Sequence, residues 1–178
     1  PWYDDVYWNM GCPGPLAWQL EENVLLHVPD CPALSATLGD CDGDGDLDLV
    51  YACFECCSFR IAWNIGTRQE PVFEYGGAIP GNPNAYANTR AWLADLDGDG
   101  DLDVVRPFVY RVDLYANTGT PEAGWWVYQG TIEGINLGGD AQRGIGDLDG
   151  DGDLDIVGVT WYSAVRCWEN VGTPQAWS

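Results

Sequence analysis

The chain has 178 residues, 46% of them hydrophobic, which suits one compact domain with its own core and excludes a disordered acidic tail. The formal net charge is −21, with seven arginines, no lysine and no basic run, so nucleic acid is not an expected partner. No apolar run approaches the roughly 20 residues that a membrane-spanning helix needs, so no membrane span is expected.

The chain opens on Pro1-Trp2-Tyr3, without initiator Met or signal peptide, as expected if a leader has been removed or if this is an excerpt of something longer. Val6-Tyr7-Trp8-Asn9-Met10-Gly11-Cys12 reads as a strand running into a turn, and Leu16-Ala17-Trp18-Gln19-Leu20 as the strand after it. A third short apolar run, Val24 to Val28, holds the single His27, which is expected to be a strand residue and not a catalytic base.

From residue 31 the pattern repeats. Asp40-Cys41-Asp42-Gly43-Asp44-Gly45-Asp46-Leu47-Asp48 recurs from Asp95 to Asp103 and from Asp147 to Asp155, so the loop starts lie 55 and 52 residues apart. Each loop leads into an apolar run: Leu47 to Tyr51, Leu102 to Val105, and Leu154 to Val159. A second strand and turn follow, at Ile61 to Thr67, Leu114 to Thr120 and Cys167 to Thr173, each holding Asn-x-Gly-Thr. Aromatic strands come next, at Val72-Phe73-Glu74-Tyr75 and Trp125-Trp126-Val127-Tyr128, and Arg90 to Ala94 is the segment that leads into the second loop. The expected unit is four short strands, A to D, with the acidic loop joining A to B. Residues 1–30 then supply strands C and D of a half repeat, 31–83 the first full repeat, 84–137 the second, and 138–178 a third lacking its last strand. Gly76 to Pro83 reads as a long D-to-A connection.

Five carboxylates in nine residues repel one another unless a cation sits among them. Hard oxygen ligands at alternate positions, with glycines for a tight turn, are what Ca²⁺ requires. Side chains at loop positions 1, 3, 5 and 9, with the backbone carbonyl of position 7, are expected to converge on one ion. The metal-site residues are thus Asp40, Asp42, Asp44, Asp46 and Asp48; Asp95, Asp97, Asp99, Asp101 and Asp103; and Asp147, Asp149, Asp151, Asp153 and Asp155. Three Ca²⁺ ions would bring the formal charge to about −15. The leucine at position 8 is expected to plug into the core. An EF-hand would need Glu at position 12, where this chain has Tyr51, Arg106 and Gly158.

The tripled Asp-x-Asp-Gly-Asp-Gly-x-x-Asp loop, the strand after it and the Asn-x-Gly turn resemble the FG-GAP/VCBS repeats, including the calcium-bearing blades of integrin α-subunit propellers. The resemblance implies an all-β fold of four-stranded antiparallel propeller-type blades, with calcium held at positions 1, 3, 5, 7 and 9. Three and a half repeats are too few for the usual closed ring, so an open or intermolecularly completed array is expected. Ligation saturated by protein oxygens implies structural, not catalytic, calcium. The chain has no Gly-x-Ser-x-Gly and no paired histidines, so no catalytic residues are expected and the protein is read as a non-enzyme.

Aligned by repeat, Trp63, Trp92, Trp125, Trp126 and Trp168 are expected to fill blade cores rather than to stack on sugars. Cys167 stands at the apolar position of Ile61 and Leu114 and is expected to be a buried free thiol. Cys12 and Cys41 lie at the same end of adjacent blades and could form a disulfide, while Cys31, Cys53, Cys56 and Cys57 could supply one or two more. Seven cysteines and abundant calcium loops point to an extracellular, oxidising compartment. The leading expectation is a calcium-stabilised structural repeat protein that self-associates head to tail, by strand addition, into a filament or array. The alternatives are an adhesive or lectin-like module with a glycan or protein ligand, and an accessory domain of a polysaccharide-active enzyme.

Overall fold

A computed structural model describes residues 6–9, 18–21, 25–26, 33–53, 58–79, 90–108, 110–119, 126–137, 143–159 and 164–172. Among these, the regular structure is entirely β-strand, fourteen strands in four sheets. Strands β1 (Val6–Asn9) and β2 (Trp18–Glu21) form an antiparallel pair. After β3 (Leu25–Leu26), the strands β4 (Ala33–Gly39), β5 (Asp48–Cys53), β6 (Ser58–Asn64) and β7 (Phe73–Ile79) form an antiparallel blade, blade 1. Blade 2 repeats it with β8 (Trp92–Ala94), β9 (Asp103–Pro107), β10 (Arg111–Asn117) and β11 (Trp126–Glu133). Blade 3 contains β12 (Arg143–Gly146), β13 (Asp155–Val159) and β14 (Val165–Trp168).

The all-β, open, propeller-type architecture is as the sequence implies, with two local differences. Strand β3 joins the outer edge of blade 1 in parallel, pairing Leu25 with Phe73, whereas the repeat pattern implies only antiparallel neighbours. The segment Gly76–Ile79, expected as connection, continues β7, because a bulge keeps it paired. His27 lies outside the described residues.

Period-two alternation gives each blade two apolar faces, which we call front, toward the preceding blade, and back, toward the following one. The back of blade 1 (Val50, Phe59, Ile61) and the front of blade 2 (Val104, Tyr115, Trp126) bury one another. The back of blade 2 (Val105, Val112, Leu114) and the front of blade 3 (Ile156, with Ile145 and Trp168 packed on it) form the second joint. Tyr51, Ala62 and Phe73 make a smaller cluster on the front of blade 1. Blades 1 to 3 thus stack face to face, each joint burying the back of one blade and the front of the next.

A bulge recurs between the last two strands of both complete blades, between Ile61 and Ala62 and between Leu114 and Tyr115. Gly77 and Gly130 take positive φ there, at +123° and +156°. The extra residue lets side chains on either side of the bulge keep their faces while the edge strand twists. Gly76 lies flat against the Trp63 indole, where a Cβ would meet Nε1 and Cδ1 of the ring. Gly76→Ala is therefore expected to lower stability by about 1–3 kcal/mol through overpacking. A thermal melt matching that of the unsubstituted protein would show that the ring moves aside at no cost.

Candidate metal centres

The three loops fold alike because each uses its own carboxylates to cap its own amides. The position 3 carboxylate accepts from the position 5 amide (Asp44 N to Asp42 Oδ1, 3.2 Å; Asp99 N to Asp97 Oδ1, 3.3 Å; Asp151 N to Asp149 Oδ1, 3.1 Å). Position 5 does the same for the amide of position 7, at 2.8–2.9 Å. These are consecutive Asx turns, which Asp favours over most residues. Position 1 accepts from the glycine amide at position 6 (Gly45 to Asp40, 3.0 Å; Gly100 to Asp95, 3.0 Å; Gly152 to Asp147, 3.2 Å). Glycines at positions 4 and 6 adopt φ between +75° and +99°, a region closed to most side chains.

Position 9 is different. Asp48, Asp103 and Asp155 are buried first residues of β5, β9 and β13. One oxygen of each accepts from the position 2 amide of its own loop (Cys41 2.9 Å, Leu96 2.7 Å, Leu148 3.0 Å). The other accepts from the turn asparagine's amide (Asn64 2.9 Å, Asn117 2.7 Å, Asn170 2.8 Å). This carboxylate therefore ties the loop to the far turn of its blade. The asparagine side chain in turn accepts from the glycine two residues on, at 3.1 Å, 3.3 Å and 3.1 Å. Asn117 also donates through Nδ2 to the Cys41 carbonyl, 2.9 Å away in the neighbouring blade. Sequence reading took these asparagines for turn residues alone, although they recur every 53 residues, close to the 55- and 52-residue spacing of the loops they brace.

Ligand atoms from three carboxylates gather within 4.8 Å of one another in each loop: Asp40, Asp42 and Asp48; Asp95, Asp97 and Asp99; Asp147, Asp149 and Asp155. Positions 1 and 3 are common to all three groups, position 9 joins two and position 5 one. Asp44, Asp151, the position 9 residue Asp103 and the position 7 residues Asp46, Asp101 and Asp153 lie outside these groups. Asp40 Oδ1 and Asp153 Oδ1 are buried with no hydrogen-bond partner, a costly state for carboxylate oxygens that a hard cation relieves. The donor set is all oxygen and strongly anionic, and it fits Ca²⁺. Burial raises Asp48 and Asp103 to about 6, opposed by their two amide donors and reinforced by neighbouring loop carboxylates. Burial, then the adjacent Asp99 and Asp95, also pushes Asp97 up.

The leucine plug at position 8 holds for Leu102 and Leu154, which are partly buried, but Leu47 is 50% exposed. Trp126 is buried, and Trp63, Trp92 and Trp168 pack against the joint cores; Trp125 lies outside the described residues. Two cysteine expectations are corrected. Cys41 is a free, buried thiol, so the Cys12–Cys41 bridge is not formed: its side chain fills the leucine position of loop 1 and packs into the joint with blade 2. Burial, with Asp48, Asp40 and Asp42 beside it, pushes that thiol well above its usual range and keeps it protonated. Cys167 is free as expected but exposed, because no described residue stacks on the back of blade 3. Cys12, Cys31, Cys56 and Cys57 lie outside the described residues, as does the side chain of Cys53.

Removing the cross-blade bond should be measurable. Asn117→Ala is expected to destabilise the chain by about 1–3 kcal/mol, since the Cys41 carbonyl and the Gly119 amide lose a buried partner. Urea unfolding with an unchanged midpoint would contradict this.

Comparison with curated proteins returns no match. The family profile of the FG-GAP-like repeat matches residues 40–105, one full period from the first acidic loop into β9. Across this segment the chain is similar to the FG-GAP-like repeat.

Proposed function

We propose that the protein is an extracellular, non-enzymatic structural repeat protein whose blades are stabilised by Ca²⁺ at the three acidic loops and which associates head to tail. The observation that carries the calcium reading is the threefold recurrence of one arrangement, in which positions 1 and 3 converge while position 9 holds the loop closed. Calcium would be held by Asp40, Asp42 and Asp48, by Asp95, Asp97 and Asp99, and by Asp147, Asp149 and Asp155, with further oxygens from the same loops. What it supplies is charge neutralisation at the corner between the first two strands of each blade. Head-to-tail association is supported by the open sheet edge at β14, which pairs on one side only among the described residues.

Equilibrium dialysis against ⁴⁵Ca²⁺ tests the calcium reading. About three ions per chain are expected, with Kd of roughly 10⁻⁴–10⁻³ M as in extracellular modules. A chain that takes up no calcium at 10 mM, or takes up Mg²⁺ equally well, would sink it.

A further inference from the structure

Each internal joint has the same two halves, and the chain carries one open copy of each. At the joint between blades 1 and 2, Leu93 and Leu102 of blade 2 press on Gly39 of blade 1. A Cβ at Gly39 would lie 2.7 Å from Leu93 Cδ1 and 2.8 Å from Leu102 Cδ1. By strand register, Gly39, Ala94 and Gly146 are equivalent, each facing the first residue of the next strand (Asp48, Asp103, Asp155). At the joint between blades 2 and 3, Ile145 and Leu154 take the parts of Leu93 and Leu102, packing into the cluster that includes Ala94.

On the back of blade 3 the corresponding seat is open among the described residues: none of them lies within 4 Å of a Cβ built on Gly146. Its surround is apolar and open. Val165 is 71% exposed, whereas its equivalents Phe59 and Val112 are 2% and 0% exposed. Leu148 is 55% exposed, whereas Cys41 and Leu96 at that loop position are 2% and 7% exposed. Cys167, at the position of Ile61 and Leu114, is exposed as well. The matching knobs stand free at the other end of the stack. Leu38 and Leu47 on the front of blade 1 are the repeat equivalents of Leu93 and Leu102, and they are 55% and 50% exposed. The rest of that front face, at Tyr51, Ala62 and Phe73, is already buried within the chain.

We infer that the Gly146 seat on the back of blade 3 receives Leu38 and Leu47 of a second copy, reproducing the loop end of the joint that links blades 1, 2 and 3. The inference rests on the self-association proposed above and adds a stacked face to the open edge of the same blade. Seat and knobs lie on different surfaces of the chain, so the contact is heterologous and propagates in one direction. The occupant is a second copy because its knobs reproduce those that fill the equivalent position at both internal joints.

Sedimentation velocity in 5 mM Ca²⁺, with the full chain over a wide concentration range, tests this. The unsubstituted protein should form a concentration-dependent series of oligomers. Leu38→Glu, which spoils the knob, and Val165→Glu or Gly146→Leu, which spoil the seat, should each weaken association at least tenfold. A 1:1 mixture of Leu38→Glu with Val165→Glu should give dimers and nothing longer, since one good knob and one good seat remain. Melting curves in Ca²⁺ equal to that of the parent protein check that each variant folds. Alkylation of Cys167, followed by peptide mass spectrometry, should slow about tenfold on assembly of the unsubstituted protein. Oligomers unaffected by these substitutions would overturn the assignment of the faces while leaving self-association standing. An unsubstituted chain that stays monomeric at millimolar concentration would overturn both. Variants that are monomeric alone and also when mixed would overturn the heterologous pairing.

Discussion

Asp103→Ala is expected to be the most damaging single substitution in the loops, lowering the thermal midpoint by on the order of 10 °C even in excess chelator. Its two oxygens accept from the Leu96 and Asn117 amides at 2.7 Å each, and the residue is 0% exposed. Alanine leaves two buried N–H groups without partners, each costing about 1–3 kcal/mol, and a chain of this size loses roughly 2–4 °C per kcal/mol. Asp103→Asn should lose about half as much, because one amide oxygen still accepts while the NH₂ faces a second donor. Asp99→Asn, at an exposed position of the same loop, should change the chelated melt by only about 0.5 kcal/mol or less. Circular dichroism melts in EDTA separate these cases. If Asp103→Ala and Asp99→Asn melted together in EDTA, position 9 would be a metal ligand without the closing role assigned to it.

The second large effect is an opposite pH dependence with and without calcium. Asp48 and Asp103 sit near 6 in the ion-free fold, against 3.8 for an unperturbed Asp. Between those values the folded chain binds more protons than the unfolded one, so ion-free stability is fullest below about pH 4 and falls as pH rises through 6. Calcium reverses this, because protons compete with the ion for the same carboxylates. In EDTA the thermal midpoint should therefore be lower at pH 7 than at pH 5; in 10 mM Ca²⁺ it should be higher at pH 7. At pH 7 the two conditions should differ by on the order of 10–30 °C, given about 1.4–2.7 kcal/mol per site at 10–100 times Kd. Parallel curves in the two buffers would show that the loops hold no ion at these concentrations.

Much of this molecule is legible in its sequence, for identifiable reasons. The loops are local: nine consecutive residues set their own turns through Asx contacts and glycine φ, so their position and likeness to one another can be read directly. The four-strand period follows because each strand is short and bounded by such turns. What escaped were features decided across space. Nothing local in Asn117 says that its side chain reaches the Cys41 carbonyl 76 residues away. Cys41 and Cys167 both occupy apolar repeat positions; one is buried because blade 2 packs on it, and the other is exposed because no described residue does so. Leu102 is partly buried because it meets Gly39 of the preceding blade, whereas its repeat equivalent Leu47 is exposed. The parallel strand β3 was missed because two residues, Leu25 and Leu26, carry no periodicity from which to infer a direction.

Arg106 gives the joint between blades 1 and 2 a second fixed point. It is 1% exposed, its guanidinium lies 4.9 Å from the ring centroids of both Phe59 in blade 1 and Phe108 in blade 2, and it hydrogen-bonds Tyr115. Three residues along β9 from Asp103, it stands about 10 Å from the loop end, where Asn117 holds the Cys41 carbonyl. Apolar contact alone is non-directional and lets two sheets pivot. A hydrogen bond at one end and a cation between aromatic rings at the other fix the angle between the blades. In a stack of copies this joint would recur once per chain, so the pitch of an assembled particle would depend in part on Asn117 and Arg106, residues buried inside a single copy.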